Sequence, residues 1–193
     1  MVGMSVRQRV LLLVVAAGTF TVAELAGWWS SRSGGLLVVA QVLHHPVLFG
    51  LLTLAALSAA VIIGVRNLVV RGLVVVAAAL SGLMAVPLVL FGGAGPEVTL
   101  NDAAPDRADR HLVVEQGAAM IDPLWWVYVD EGSGLTKRRW HVGHINGDAS
   151  ALIKASWAGP DRVRLVTGSA EDKQVHLVDL TASGEPLRTV SLG

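Results

Sequence analysis

VLFGLLTLAALSAAVIIGV, residues Val47–Val65, contains no charged side chain. A bilayer core of ~30 Å is crossed by about 20 apolar residues of helix rising ~1.5 Å each, and this stretch meets that requirement. GLVVVAAALSGLMAVPLVLF, Gly72–Phe91, meets it as well, also without a charge. Val10–Trp29 is a third such segment and carries one charge, Glu24. Buried helices of soluble proteins rarely run this long without charges. The sequence therefore predicts a membrane α-helical bundle of three transmembrane helices over residues 1–91, with spans at about 10–29, 47–65 and 72–91.

The arginines orient the spans. Arg7 and Arg9 precede the first, Arg66 and Arg71 lie between the second and third, and only Arg32 follows the first. By the positive-inside rule the N-terminus and the Arg66–Arg71 loop are cytoplasmic. Three crossings then put everything after Phe91 outside, with Trp28 and Trp29 in the outer interfacial belt. A competing reading makes residues 1–23 a cleaved signal peptide, but Thr21-Val22-Ala23 matches the small-x-small rule poorly. Ala23 and Gly27, then Ala56, Ala60 and Gly64, then Ala77, Ser81 and Ala85 repeat at four-residue spacing. Such small faces let helices pack closely in lipid. Residues 36–41, LLVVAQ, are too short to cross and are expected at the outer interface or as an extension of the second helix.

Glu24 is the intramembrane polar candidate, although near the interface it reaches water at modest cost. His44-His45-Pro46 could bind metal or sense pH, but adjacent side chains point different ways on regular elements. Pro87 is expected to loosen the end of the third helix. No charged pore ring or pair of broken helices suggests a channel or transporter.

The composition changes at residue 92. Residues 92–96, Gly-Gly-Ala-Gly-Pro, read as a linker, and 97–193 as an extracytoplasmic β domain. That part holds 14 of the 15 acidic and 10 of the 15 basic residues, a formal charge of −4. Its sign and location disfavour nucleic acid as a partner. Period-two runs predict strands at Glu97–Leu100, His111–Glu115, Leu124–Asp130, Arg139–Ile145, Ala151–Trp157, Arg162–Thr167, Gln174–Leu180 and Leu187–Leu192. Turn clusters separate them, including Asn101–Asp106, Asn146-Gly147-Asp148 and Gly168–Asp172. The expectation is a small all-β antiparallel sandwich or meander with two packed sheets.

Little points to chemistry. With no cysteine in the chain, zinc–thiolate sites and thiol nucleophiles are excluded. His141 and His144 are three apart, which on a regular strand puts them on opposite faces; a bulge at Gly143 would realign them. No G-x-S-x-G, S-x-x-K, H-E-x-x-H or phosphate-loop pattern occurs. No catalytic residue, metal site or cofactor is predicted. An enzyme would need convergence of His141, His144, Asp130 and Asp148.

Trp125, Trp126, Trp140 and Trp157 are the binding candidates, since exposed aromatic faces stack on sugars or anchor partners. Core packing is expected to claim two or three of them; of the neighbours Trp125 and Trp126 one should face in and one out, and the outward one is the leading surface candidate. Lys137-Arg138-Arg139 is either a solvated edge that discourages strand pairing or a contact for anionic lipid or wall polymer.

Trp157–Val163 (WAGPDRV) followed by VHLVDL resembles one blade unit of a β-propeller. The likeness covers about 40 residues at most and implies only a local strand meander. Lysine occurs only at 137, 154 and 173 against abundant arginine, alanine and valine. With that bias, the layout and the W-x-G-P-D-R-V stretch resemble short, uncharacterised actinobacterial integral membrane proteins that pair N-terminal helices with a small outer β domain. The resemblance transfers no catalytic residue. The expected partners are the lipid bilayer and a membrane or envelope protein, with the oligomeric state open. The expected function is a cell-envelope membrane protein whose β domain binds or positions a partner without catalysis; the alternative is an envelope carbohydrate- or lipid-binding module. The topology makes a direct prediction: Ser183→Cys reacts with an impermeant thiol reagent in intact cells, and protection there would reverse the assigned sidedness.

Overall fold

The structure, a computed structural model, describes residues 4–92, 95–119, 122–147, 150–169 and 172–192. Gly93 and Ala94 of the expected linker, Asp148 of one expected turn and residues 170–171 of another lie outside that description. The chain divides into two compact units, Met1–Trp28 with Val42–Gly93, and Trp29–Gln41 with Ala94–Gly193.

The first unit is helical. The helices are α1 (Val6–Ser30), α2 (Leu37–Leu43), α3 (Pro46–Gly64) and α4 (Leu68–Gly92). Three are long and apolar enough to cross a membrane: Val6–Ser30, Pro46–Gly64 and Leu68–Pro87, with mean hydropathies of 2.0, 2.5 and 2.2. Leu11, Leu73 and Leu83 are among many large apolar side chains left exposed on them, the surface a helix offers to lipid. Pro46 opens α3, where its missing N–H costs nothing. Asn67 Oδ1 accepts the Val69 and Val70 amides at 2.9 and 3.3 Å and so caps α4. Pro87 does not end α4, which continues to Gly92.

Small residues mark close approaches in part. Ala56 and Ala60 are buried. At Gly27 an added Cβ would lie 2.4 Å from the Leu43 carbonyl carbon, so no side chain fits there. On the third span Ala85 is buried, whereas Ala77 and Ser81 are exposed.

The second unit contains β1 (Gly35–Leu36), β2 (Glu97–Ala104), β3 (Arg107–Ala119), β4 (Asp122–Glu131), β5 (Arg138–Asn146), β6 (Ala151–Gly159), β7 (Arg162–Gly168), β8 (Lys173–Asp179) and β9 (Val190–Leu192). Six strands form one sheet in the order β1-β5-β4-β3-β2, with β9 also paired to β5; β6-β7-β8 form the other. All eight expected strands are present. β9 runs parallel to β5, an exception to the antiparallel expectation. The expected turn at Asn101–Asp106 is shorter, because β2 continues to Ala104. Asp106 takes the left-handed conformation (φ 61°) that Asp tolerates better than most residues.

β1 has no counterpart in the sequence reading. It lies in the segment between the first two spans and pairs with the start of β5, Gly35 opposite Arg139 and Leu36 opposite Arg138. The Gly34 amide donates to the Arg139 carbonyl at 2.8 Å, and the Leu37 amide to that of Lys137 at 2.9 Å. Gly34 is held at φ 82°, and an added Cβ would lie 2.6 Å from the Trp140 ring. Both constraints favour glycine there. Of residues 36–41, Leu36 belongs to β1 and the rest to α2.

The core is the alternating inner face of both sheets: Leu112, Val114, Val127, Val129, Val142 and Ile145 against Val163, Leu165 and Val178. Inner-face parity also puts Arg110 inside, fully buried. Its guanidinium pairs with Glu131 and Asp161 and donates to the carbonyls of Pro160, Thr181 and Ala182 at 3.2, 3.3 and 2.9 Å. The Pro160-Asp161 turn of the blade-like stretch is thus tied by a cation on β3. Removing one partner of such a network strands the others. Arg110→Met should lower β-domain stability by about 3–5 kcal/mol, read from denaturant unfolding of the detergent-solubilised protein by tryptophan fluorescence. Arg110→Lys should recover only part, because one ammonium cannot reproduce the guanidinium fork.

Candidate functional site

Glu24, within the last two turns of α1, is neither isolated nor free in water. Its Oε1 lies 3.1 Å from His44 Nδ1, and its Oε2 accepts the His45 backbone amide at 3.0 Å. The carboxylate therefore sits at the start of α3, where a helix dipole favours negative charge. The arrangement pins the end of α1 to the entrance of α3. Glu24 meets His44 through its imidazole ring and His45 through its backbone amide.

Neighbouring positions on β4 separate the two tryptophans as alternation requires. Trp125 packs against the core, opposite Gln116 and Ile145, while Trp126 faces the other way, opposite Glu115 and His144. β5 carries an extra residue opposite Val127/Tyr128. Val142 and Gly143 are both buried at this bulge, and His141 and His144 emerge together on the outer face. Trp126 packs on His144 and Tyr128 on His141, each with ring centroids 5.7 Å apart. Burial, and then the charge of His144, holds the His141 imidazole below its ordinary range. Burial, followed by Glu115, pushes the Tyr128 phenol up to about 12. Among the described residues no group of three or more His, Cys, Asp or Glu is placed to hold a metal ion. Asp148 lies outside the described residues.

The expected basic cluster is divided among three tasks. Arg139 pairs with Asp130 and Glu115, and its guanidinium carbon lies 4.7 Å from the Tyr128 ring centroid. Lys137 Nζ lies 3.5 Å from Asp130. Arg138 alone turns to the first loop and donates to the Gly34 carbonyl at 2.8 Å.

Trp140 and Trp157 both pack on the core. The Trp157 indole N–H donates to the Asp102 carbonyl at 3.0 Å, joining the edge strands β6 and β2. Further along the same two edges a cleft of about 390 Å³ opens, within the ~300–1,000 Å³ range of small-molecule sites. Trp125, Leu100 and Leu152 give it apolar walls, and Thr99, Gln116 and Lys154 polar ones. Both edges are irregular there: the registers shift between Val98 and Leu100 and between Leu152 and Lys154. Bulges of this kind re-aim side chains and blunt strand addition. The sequence singles out Trp125 but not the cleft, because the facing bulges, at Val98/Leu100 and Leu152/Lys154, are distant in the chain.

Comparison with protein-family models, curated proteins and solved structures finds no match to this chain.

The His141 environment has a pH consequence. Its lowered pKa means the unfolded chain takes up this proton first as pH falls, so stability rises with pH in that window. The contribution is complete above about pH 6.5, the ordinary histidine value, and is lost as pH falls toward the lower folded-state value. Unfolding measured across this window should show a steeper pH slope for wild type than for His141→Gln; equal slopes would contradict the burial of this ring.

Proposed function

We propose that the protein is an integral membrane protein of the cell envelope whose β domain, on the extracytoplasmic side, binds and positions a partner without catalysis. The three apolar helices support the membrane assignment, and the arginine distribution supports the sidedness. The observation that carries the binding role is the cleft beside Trp125, where both edge strands depart from regular pairing to leave an apolar and polar surface open.

The carbohydrate- or lipid-binding alternative draws unequal support. Trp125 offers part of its indole to the cleft, as a stacking site requires. The charges of Lys137 and Arg139 are matched by Asp130 and Glu115, so these two do not form a free cationic surface beside either tryptophan.

A photo-crosslinking residue placed at Ile153, exposed on the cleft rim, should capture a discrete envelope component in intact cells. The same residue at Leu135, exposed beyond the other end of β4, should not. Equal yields from both positions, or none from Ile153, would remove the cleft as the working surface.

A further inference from the structure

Within the helical unit a small groove opens between α1 and α3. It measures about 170 Å³, and its lining includes Phe20, Thr21 and Glu24 of α1 and Phe49, Gly50 and Thr53 of α3. The Phe20 and Phe49 rings, with centroids 6.4 Å apart, form apolar walls. Gly50 leaves room: a Cβ added there would meet nothing within 4 Å. Among the described residues no lysine, arginine or histidine lines the groove. Glu24 Oε2 accepts the His45 amide, and Oε1 lies against His44 Nδ1. Those contacts use two of the roughly four acceptor positions of a carboxylate, and the side chain keeps 20% exposure. Thr21 Oγ1 gives its proton to the Ala17 carbonyl at 3.0 Å, so toward a further partner that oxygen only accepts.

Position adds to this chemistry. α3 has 19 residues, which at ~1.5 Å each come close to the ~30 Å hydrocarbon core. Pro46, its first residue, also lines the groove, so the groove lies where hydrocarbon gives way to headgroups. Leu25 and Leu48, exposed on the same two helices, belong to the surface that lipid covers. A primary ammonium suits this setting. It brings one positive charge and three N–H donors, which carboxylate and hydroxyl oxygens accept and phenyl faces attract. A choline headgroup has the charge without the donors, and a glycerol headgroup has no cation.

We propose that this groove binds the primary ammonium of an aminophospholipid headgroup, with Glu24 as its counter-ion. The site is separate from the Trp125 cleft and does not depend on the partner-binding reading. Filled, it adds a lipid to the joint that Glu24 already makes between α1 and the start of α3.

The test is native mass spectrometry of the full-length protein exchanged with equimolar phosphatidylethanolamine, phosphatidylcholine and phosphatidylglycerol of identical acyl chains. Wild type should retain phosphatidylethanolamine preferentially. Glu24→Gln should reduce that preference about tenfold, the usual worth of one charge-assisted hydrogen bond. Because Glu24→Gln also disturbs the contacts to His44 and His45, Gly50→Leu provides the independent variant. It leaves the carboxylate and its partners in place and puts a side chain into open space, and leucine suits a helix better than glycine. Gly50→Leu should lower the preference by a similar factor. Gly72→Leu, an equally open glycine on α4, should leave it unchanged. Equal retention of the three lipids by wild type, or equal retention of the ethanolamine and choline lipids, overturns the proposal. So does a preference that survives Gly50→Leu, whatever Glu24→Gln does.

Discussion

The backbone pairing of Gly35–Leu36 with Arg138–Arg139 is the constraint on which this architecture turns. It joins a segment that precedes the second span to one that follows the third. Two candidate membrane spans lie between them in the chain, an even number, as a bond between their flanks requires. The β domain is consequently not a module strung after an anchor. Its edge is completed by the first loop, and the entropy of ordering that loop is offset by bonds made within the domain. Trp140, packed against Gly34, and Arg138, bonded to its carbonyl, secure the same joint from the β5 side.

Charge in this protein works largely inside the fold. Arg110 gathers two carboxylates and three carbonyls from both sheets. Arg139 joins Glu115 and Asp130 across three strands. Glu24 links two helices through His44 and the His45 amide. Each is a buried or half-buried charge whose desolvation is compensated by several partners at once, the condition under which such groups are tolerated. Among the described residues, the cleft beside Trp125 at one sheet edge is left open by this internal pairing.

The spans and the eight longer strands were legible because each writes its own periodicity: uninterrupted apolar runs for the helices, alternation for the strands. β1 was not, since two residues are too short to show a pattern and their partner lies a hundred positions away. Arg110 was legible in principle. It shares parity with Leu112 and Val114, and an arginine on the inward register of a strand signals a buried ion network. His141 and His144 required a bulge to meet, and only the three-dimensional register reveals that Val142 and Gly143 both turn inward. Glu24 and His44 were both singled out by the sequence, but nothing in it said that they pair. The Lys137–Arg139 run looked like one basic patch because sequence displays charges and not their partners.

The membership of the first loop in the β domain is what the rest of the architecture rests on. Leu36 and Arg138 are opposed across the β1–β5 ladder, at the Cα spacing a disulfide requires, and the chain has no cysteine to interfere. The double variant Leu36→Cys with Arg138→Cys, oxidised in isolated membranes with copper phenanthroline, should form an intramolecular disulfide, seen as a mobility shift on non-reducing gels. Leu36→Cys with Arg188→Cys should not. Absence of the bond in the first pair, or its equal formation in the second, would contradict the recruitment of this loop and the architecture built on it.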